Sequence, residues 1–442
     1  MIAESWDIRH IDLGTEQPEL GASDRPLFAV FWWRALPLGM RTYLPEQLPL
    51  DGGQLAALTA EFASVQLAAR LPEFGGPARA TRDGRPVTAV PLAAARHCGD
   101  LLEQLDELAD APAVSAKELT VIICTRDRPH ALARCLAKLD AQNRQPGQTI
   151  VVDNSDGRTA EAVTGRFAGI DYVHEPRLGL SVARNAGIRA SRSALIAFTD
   201  DDVEPSLNWT EEIVRAFSSK QVEAVTGLVL PARLDTPAQC FFQLQMGGLG
   251  SGCVPLIFDH RFFAETREMG AQVWRIGAGA NMAFRRSLFD RIGLFDERLG
   301  AGASGCSEDS ELWYRLLAGG GVCLFESRAC VLHHHREQWG ELRRQMRAYM
   351  RGHVSALFVQ AARYRHPGNI RRIFFQLPNY FLRTAFRAVR DGGGVPRLQI
   401  LWDEIVGWFC SLHYAFRPRW RARSAPSANV APIGVPAGES RP

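Results

Sequence analysis

Lysine is nearly missing from this chain: Lys117, Lys138 and Lys220 are the only three in 442 residues. Basic character therefore rests on arginine, and the formal net charge of +3 is too small to argue for a nucleic-acid partner. The nine cysteines never form a CxxC pair, which excludes the usual zinc spacing and, being odd and scattered, a disulfide framework. Reduced thiols of a cytoplasmic protein are the expectation. No window reaches eighteen uninterrupted apolar residues, so no spanning helix is expected. The opening "MIAESWDIRHIDLG" carries charges and no apolar core, so no signal peptide is expected either. What remains, 46% hydrophobic and 22% charged, is ordinary globular composition with room for two or three structural units.

Residues 1–115 form an N-terminal accessory region. "FAVFWWRALPLGMRTYLPEQ" reads as a small hairpin, and "GGQLAALTAEFASVQLAARL" and "CGDLLEQLDELAD" read as helices. "ADAPAVSAKE" works as a linker. Over 116–335 short apolar runs alternate with helical ones. "LTVIICT" and "TIVVD" are continuous and rich in β-branched residues, as strands covered on both faces should be. Between them Leu132, Leu136 and Leu139 mark one face of a helix that Pro129 could open. Strands separated by helices imply right-handed crossovers and an α/β, Rossmann-like, doubly wound, mainly parallel sheet.

In such sheets ligands bind beyond the carboxyl ends of the strands. Three polar clusters fall at those ends here: "CTRDR", "VVDNSD" and "FTDDD". The last raises a physical question, because Asp200, Asp201 and Asp202 repel one another and each resists leaving water. A bound cation would make the cluster tolerable.

The ordered set "TVIICTRDRP", "VVDNS", "GLSVARNAGI", "FTDDD", "GAGANMAFRR", "GLFDERLG" and "SEDSELWYRL" resembles the inverting family 2 glycosyltransferases of GT-A fold, over roughly residues 118–335. The resemblance implies a sugar transferred from a nucleoside-diphosphate sugar to an acceptor hydroxyl, with Mn²⁺ or Mg²⁺ as cofactor, in cell-surface polysaccharide or glycolipid synthesis. Oxygen donors suit either ion, and both can keep positions open for phosphates. By resemblance Asp202 is a direct metal ligand, and Asp200 and Asp201 hold ribose or order the metal's water. Asp153 would bond the nucleotide base, with Thr125 and Arg126 lining the same pocket. Arg184 and Asn185 match the family's "ARN" as donor-side residues; for Arg184 a structural ion pair stays equally open.

Ser307 is expected to cap a helix that carries Glu308 and Asp309 in its first turn, where the helix dipole favours ionised carboxylates. By resemblance Asp309 is the catalytic base, and Glu308 positions it or touches the acceptor. His333 or His335 of "VLHHHREQW" would complete the metal shell. Gly279, Asn281 and Asp296 match the acceptor-side wall, and the irregular segment 236–275 is expected to be a mobile acceptor loop.

Residues 336–424 form a basic extension. From Arg336 to Ser424 there are seventeen Arg, no Lys and five acids, interleaved with apolar clusters. Two readings stand: an interfacial helix on an anionic membrane that carries a lipid-linked acceptor, or a helical subdomain packed on the catalytic region. The first would place the enzyme at the cytoplasmic face of the membrane. Residues 425–442 have the composition of a disordered tail. The rival functions are a sugar-phosphate nucleotidyltransferase, which would need a glycine-rich basic loop where "CTRDRPH" stands, and a non-catalytic nucleotide-sugar-binding protein.

Overall fold

The computed structural model describes residues 5–15, 18–70, 78–80, 98–110, 112–250, 252–390 and 394–415. The expected tail at 425–442 lies outside the described residues.

Three strands open the chain. β1 (Asp7–Asp12) runs parallel to β2 (Leu27–Trp33), which turns at Arg34, with φ 53°, into antiparallel β3 (Leu36–Tyr43). The hairpin is where the apolar pattern put it. α1 (Gly52–Arg70) covers this small sheet with Leu55, Leu58 and Leu67, and Leu105 joins the same cluster. After the short β4 (Ala78–Arg79), α2 (Cys98–Ala109) carries Leu105. The end of α1 ties this unit to the rest: buried Gln66 donates to the carbonyls of Pro37, Leu38 and Cys253, and Arg70 pairs with Glu326 at 2.9 Å.

The alternating pattern then begins with β5 (Leu119–Thr125), α3 (Pro129–Asp140), β6 (Gln148–Asp153), α4 (Glu161–Thr164), β7 (Ile170–His174), α5 (Leu180–Ala190) and β8 (Leu195–Asp200). Pro129 is the first residue of α3, where its missing N–H is harmless. β9 (Val203–Pro205), α6 (Trp209–Ala216) and β10 (Val222–Pro231) follow. Residues 236–275, expected as an irregular mobile loop, instead build α7 (Pro237–Cys240), a π-helical turn at Phe241–Gln245, β11 (Leu256–Phe258) and α8 (His260–Arg267). Phe241, Phe258 and Phe262 are buried there, and that burial is what orders the segment. β12 (Asn281–Arg285), α9 (Arg286–Ile292), α10 (Glu308–Ala318) and the long β13 (Val322–His333) complete the region.

The large sheet has the order β4-β11-β13-β10-β12-β8-β5-β6-β7, with β9 paired to β13. β5, β6, β7 and β8 are mutually parallel, and β10 and β13 share their direction; β12 runs antiparallel between β8 and β10. Every residue of β5 is buried: Val121 and Ile123 point into one face cluster, Ile122 and Cys124 into the other. Both faces are covered, which is why that strand reads as an unbroken apolar run. The shared direction brings Thr125, Asp153, Asp200 and His333 to one rim.

The basic extension is helical: α11 (Trp339–Tyr364), α12 (Pro367–Arg371), a π-helical turn at Arg372–Gln376, α13 (Leu377–Arg390) and α14 (Gly394–Ala415). α11 lies against α10: Gly352 passes so close to Cys306 that a Cβ would fall 2.5 Å from its carbonyl oxygen. Asp403 of α14 is fully buried and receives both Arg343 and Arg347 of α11, the former at 2.6 Å. These helices therefore form a subdomain packed on the sheet region. Among the described residues no helix is long and apolar enough to cross a membrane.

Candidate active site

A cavity of about 1040 Å³ opens at the rim, lined by Thr125, Asp202, Gly279, Asp309, His333 and Tyr349 among others. Its floor is electrostatic. Asp201 accepts from the Thr125 hydroxyl at 2.8 Å and from Arg128 at 3.1 Å; burial and the neighbouring Asp202 push its pKa up to about 6. Asp202 is also buried, which alone would raise it. His333, Arg336 and Arg128 outweigh that and hold it below the ordinary carboxylate range. Arg128 reaches Asp202 at 3.0 Å and Arg336 at 3.4 Å. Asp201 and Asp202 are thus held together by two arginines that the motif reading did not single out, although both lie within its quoted stretches.

Asp202 meets His333 at 3.6 Å. His333 Nδ1 lies 2.9 Å from His335 Nδ1, and His335 Nε2 lies 3.0 Å from the Gln243 side-chain oxygen. With that oxygen as partner, His335 carries its hydrogen on Nε2 and accepts from His333 through Nδ1. His333 Nε2 then faces the Asp202 carboxylate across 3.6 Å. Burial lowers the pKa of both histidines, that of His335 to about 3, so both rings are neutral. An oxygen and a neutral imidazole nitrogen facing one point suit Mn²⁺. Of the four expected donors, Asp202 and His333 face each other, while both ring nitrogens of His335 are engaged and Asp200 bonds Arg184 at 3.3 Å. Among the described residues no group of three or more His, Cys, Asp or Glu side chains is arranged to hold a metal.

Across the cavity, α10 begins at Ser307, which adopts φ 69° and gives no side-chain cap; its hydroxyl faces Cys306 Sγ instead, correcting the expected capping role. Asp309 is half-buried. Its Oδ2 accepts the Gly279 N–H at 2.9 Å and its Oδ1 the Ser310 N–H at 2.6 Å. Burial raises its pKa, and Arg184 and those two amides oppose the rise. Burial, with Arg184 opposing and Asp309 adding, raises Glu308 to about 7. Arg184 is itself buried, donates to Glu308 at 2.5 Å and to the Gly279 carbonyl at 3.2 Å, and stays charged because the acids outweigh its desolvation. The open choice for Arg184 resolves to an ion pair that joins the rim acids to α10.

Four of the expected site residues do not line this cavity. Asp153 is fully buried, and its oxygens accept from the amides of Ser155 and Ala160 and from Tyr172, which keeps its pKa low despite burial. Asn185 exchanges hydrogen bonds with the backbone of Phe295. Asn281 accepts from Trp209 and donates to the carbonyls of Leu228 and Ala329. Asp296 is held by Arg298 at 2.6 Å. All four side chains are engaged by neighbouring protein groups. Thr125 and Arg126 lie on the cavity wall, and Arg126 donates to the Asn154 carbonyl. The wall also includes Gln345, Tyr349 and His353 of α11, for which the sequence held no signal.

The site thus lies on the rim of a mixed, mainly parallel sheet, where the acids gather beyond the carboxyl ends of the parallel strands. Residues 120–293 match Glycosyl transferase family 2, and residues 252–422 match Glycosyl transferase family group 2. The two matches overlap and together run over residues 120–422, so the chain is similar to the family 2 glycosyltransferases. It is 27% identical over 229 residues to a pre-mycofactocin glycosyltransferase of Mycobacterium tuberculosis, covering 51% of this chain and 44% of that one. It is 25% identical over 190 residues to a glucosyl-dolichyl phosphate glucuronosyltransferase of Haloferax volcanii, covering 41% and 57%. The chain thus spans about half the length of the curated relatives it matches. A solved mannosyltransferase from Pyrobaculum calidifontis in complex with GDP-Man and Mn²⁺ superposes with a TM-score of 0.44 at 15% identity, over 72% of this chain and 88% of that one.

Proposed function

We propose that the protein is a metal-dependent, inverting glycosyltransferase that moves a sugar from a nucleoside-diphosphate sugar to an acceptor hydroxyl in polysaccharide or glycolipid synthesis. The observation that carries this reading is the placing of Asp309 in the same cavity as the Asp202–His333 pair. The rim holds the leaving end of the donor, and α10 presents a carboxylate to the attacking hydroxyl.

In one displacement the acceptor oxygen forms a bond to the anomeric carbon while the bond from that carbon to the diphosphate oxygen breaks. The acceptor proton passes to Asp309, and the nucleoside diphosphate leaves with the bonding electrons. Two backbone amides fix the Asp309 carboxylate, so it meets the hydroxyl without reorganising. Glu308 acts through Arg184 as a positioning residue. Asp202 and His333 would hold a divalent cation, whose chemistry when bound is to neutralise negative charge on the departing diphosphate.

The test is Asp309→Asn in a transfer assay with a panel of nucleotide sugars. Turnover should drop about 10²- to 10⁴-fold, while thermal stabilisation by donor and Mn²⁺ stays as in the native protein. Wild-type turnover in this variant would remove Asp309 from the mechanism.

A further inference from the structure

The last two helices expose more apolar surface than a solvated subdomain tolerates. On α13, Leu382, Phe386 and Val389 recur at helical spacing and are 72%, 65% and 74% exposed; Phe375, in the preceding π-helical turn, lies two turns before Leu382. α14 packs beside α13 and adds Val395, Leu398, Trp402 and Phe409, all exposed. Single exposed apolar residues mean little, but two adjacent stripes do not arise from scatter.

The charges on this face have one sign. Arg371, Arg383, Arg387 and Arg390 are exposed among the apolar residues. Among the described residues from 367 to 415 the only acids are Asp403 and Glu404, and both are buried: Asp403 against Arg343 and Arg347, Glu404 against the Tyr380 hydroxyl at 3.1 Å. A purely apolar partner would leave those guanidinium groups desolvated. A surface with an apolar interior and an anionic headgroup layer satisfies both features at once.

The same helices also border the site. Leu377 and Tyr380 of α13, Glu404 of α14 and the intervening Arg372 line the cavity that contains Asp309. Arg372 is fixed there by the Trp274 ring, 4.0 Å from its guanidinium carbon, and by His353 at 2.9 Å. One side of α13 therefore faces the acceptor end of the cavity and the other faces outward.

We propose that α13 and α14 dock the enzyme on an anionic lipid bilayer, so that the Asp309 end of the cavity receives an acceptor borne by a lipid in that bilayer. This rests on the glycosyltransferase reading for the word acceptor, but the docking stands on its own geometry. Vesicles of phosphatidylcholine, with and without phosphatidylglycerol, are the probe, using the full chain in a sedimentation assay. Binding should be at least about tenfold stronger to the anionic vesicles and should weaken with salt. The combined change Leu382→Ser, Phe386→Ser and Val389→Ser should abolish it, and Arg383→Glu with Arg387→Glu should reduce it at least about tenfold. All five side chains are exposed, so thermal stabilisation by nucleoside diphosphate and Mn²⁺ should be unchanged in both variants. Retained stabilisation without any vesicle binding by the native chain would overturn the docking and leave the glycosyltransferase reading intact. Equal binding by native and variant chains would overturn it too, as would a stable dimer in light scattering that the triple serine change dissolves.

Discussion

The Arg184 guanidinium lies 2.5 Å from a Glu308 carboxylate oxygen, and its other terminal nitrogen lies 3.3 Å from Asp200. One buried cation therefore spans the sheet rim and the start of α10, so the two sides of the cavity share an electrostatic support.

That sharing sets the pH dependence. Burial lifts the Asp309 carboxyl above its ordinary value and Arg184 pulls it back down. Transfer needs the ionised form, so the rate should rise with pH through an apparent pKa belonging to the Glu308–Asp309 pair. In Arg184→Gln the downward pull is gone, and the acid limb of the rate profile should move to higher pH by about one unit or more. A limb that stays put or moves down would show that Arg184 does not act on the pair.

Removal of either proposed metal donor should be read in the binding of Mn²⁺ itself. Asp202→Ala and His333→Ala should each abolish Mn²⁺-dependent stabilisation by nucleoside diphosphate. His335→Ala removes only the ring that orients His333, and should weaken Mn²⁺ binding about 10- to 100-fold. A larger loss from His335→Ala than from His333→Ala would exchange their roles.

Gly279 is tight for a different reason. A Cβ there would stand 3.0 Å from Arg184 Nη2 and 3.1 Å from Asp309 Oδ2, both already bonded to the Gly279 backbone. Gly279→Ala should lower kcat about 10- to 100-fold through misplacement of the carboxylate, with the circular dichroism spectrum unchanged.

The heaviest single stability loss is expected at α10. Arg315 and Glu311 pair at 2.8 Å with essentially no exposure, and Arg315 also donates to the carbonyls of Ile292 and Gly293. Arg315→Met leaves Glu311 as an uncompensated buried charge and should cost about 3–5 kcal/mol in urea unfolding. Adding Glu311→Leu should recover much of that loss. No recovery would mean that the carbonyl contacts dominate.

Much of the architecture was legible because local rules decide it. The covered strands β5 and β6 show as apolar runs, Pro129 marks a helix start, and the acids fall at strand ends because a parallel sheet puts its ligands there. Asp153, Asn185 and Asn281 show the limit of that reading. A polar residue in a motif can face a ligand or satisfy buried backbone, and the choice depends on amides brought from 7 to 110 positions away.

The sequence by itself determined the alternation of strands and helices from β5 to β8 and the acids at the rim, since periodicity and motif spacing are properties of neighbouring residues. Only the tertiary structure decided which side chains meet. It set Arg128 and Arg336 on the carboxylates, joined His333 to Asp202, and turned one side of α13 to the cavity and the other outward. Those pairings are fixed by how distant elements pack, because burial and charge compensation depend on neighbours in space, and no local pattern encodes them.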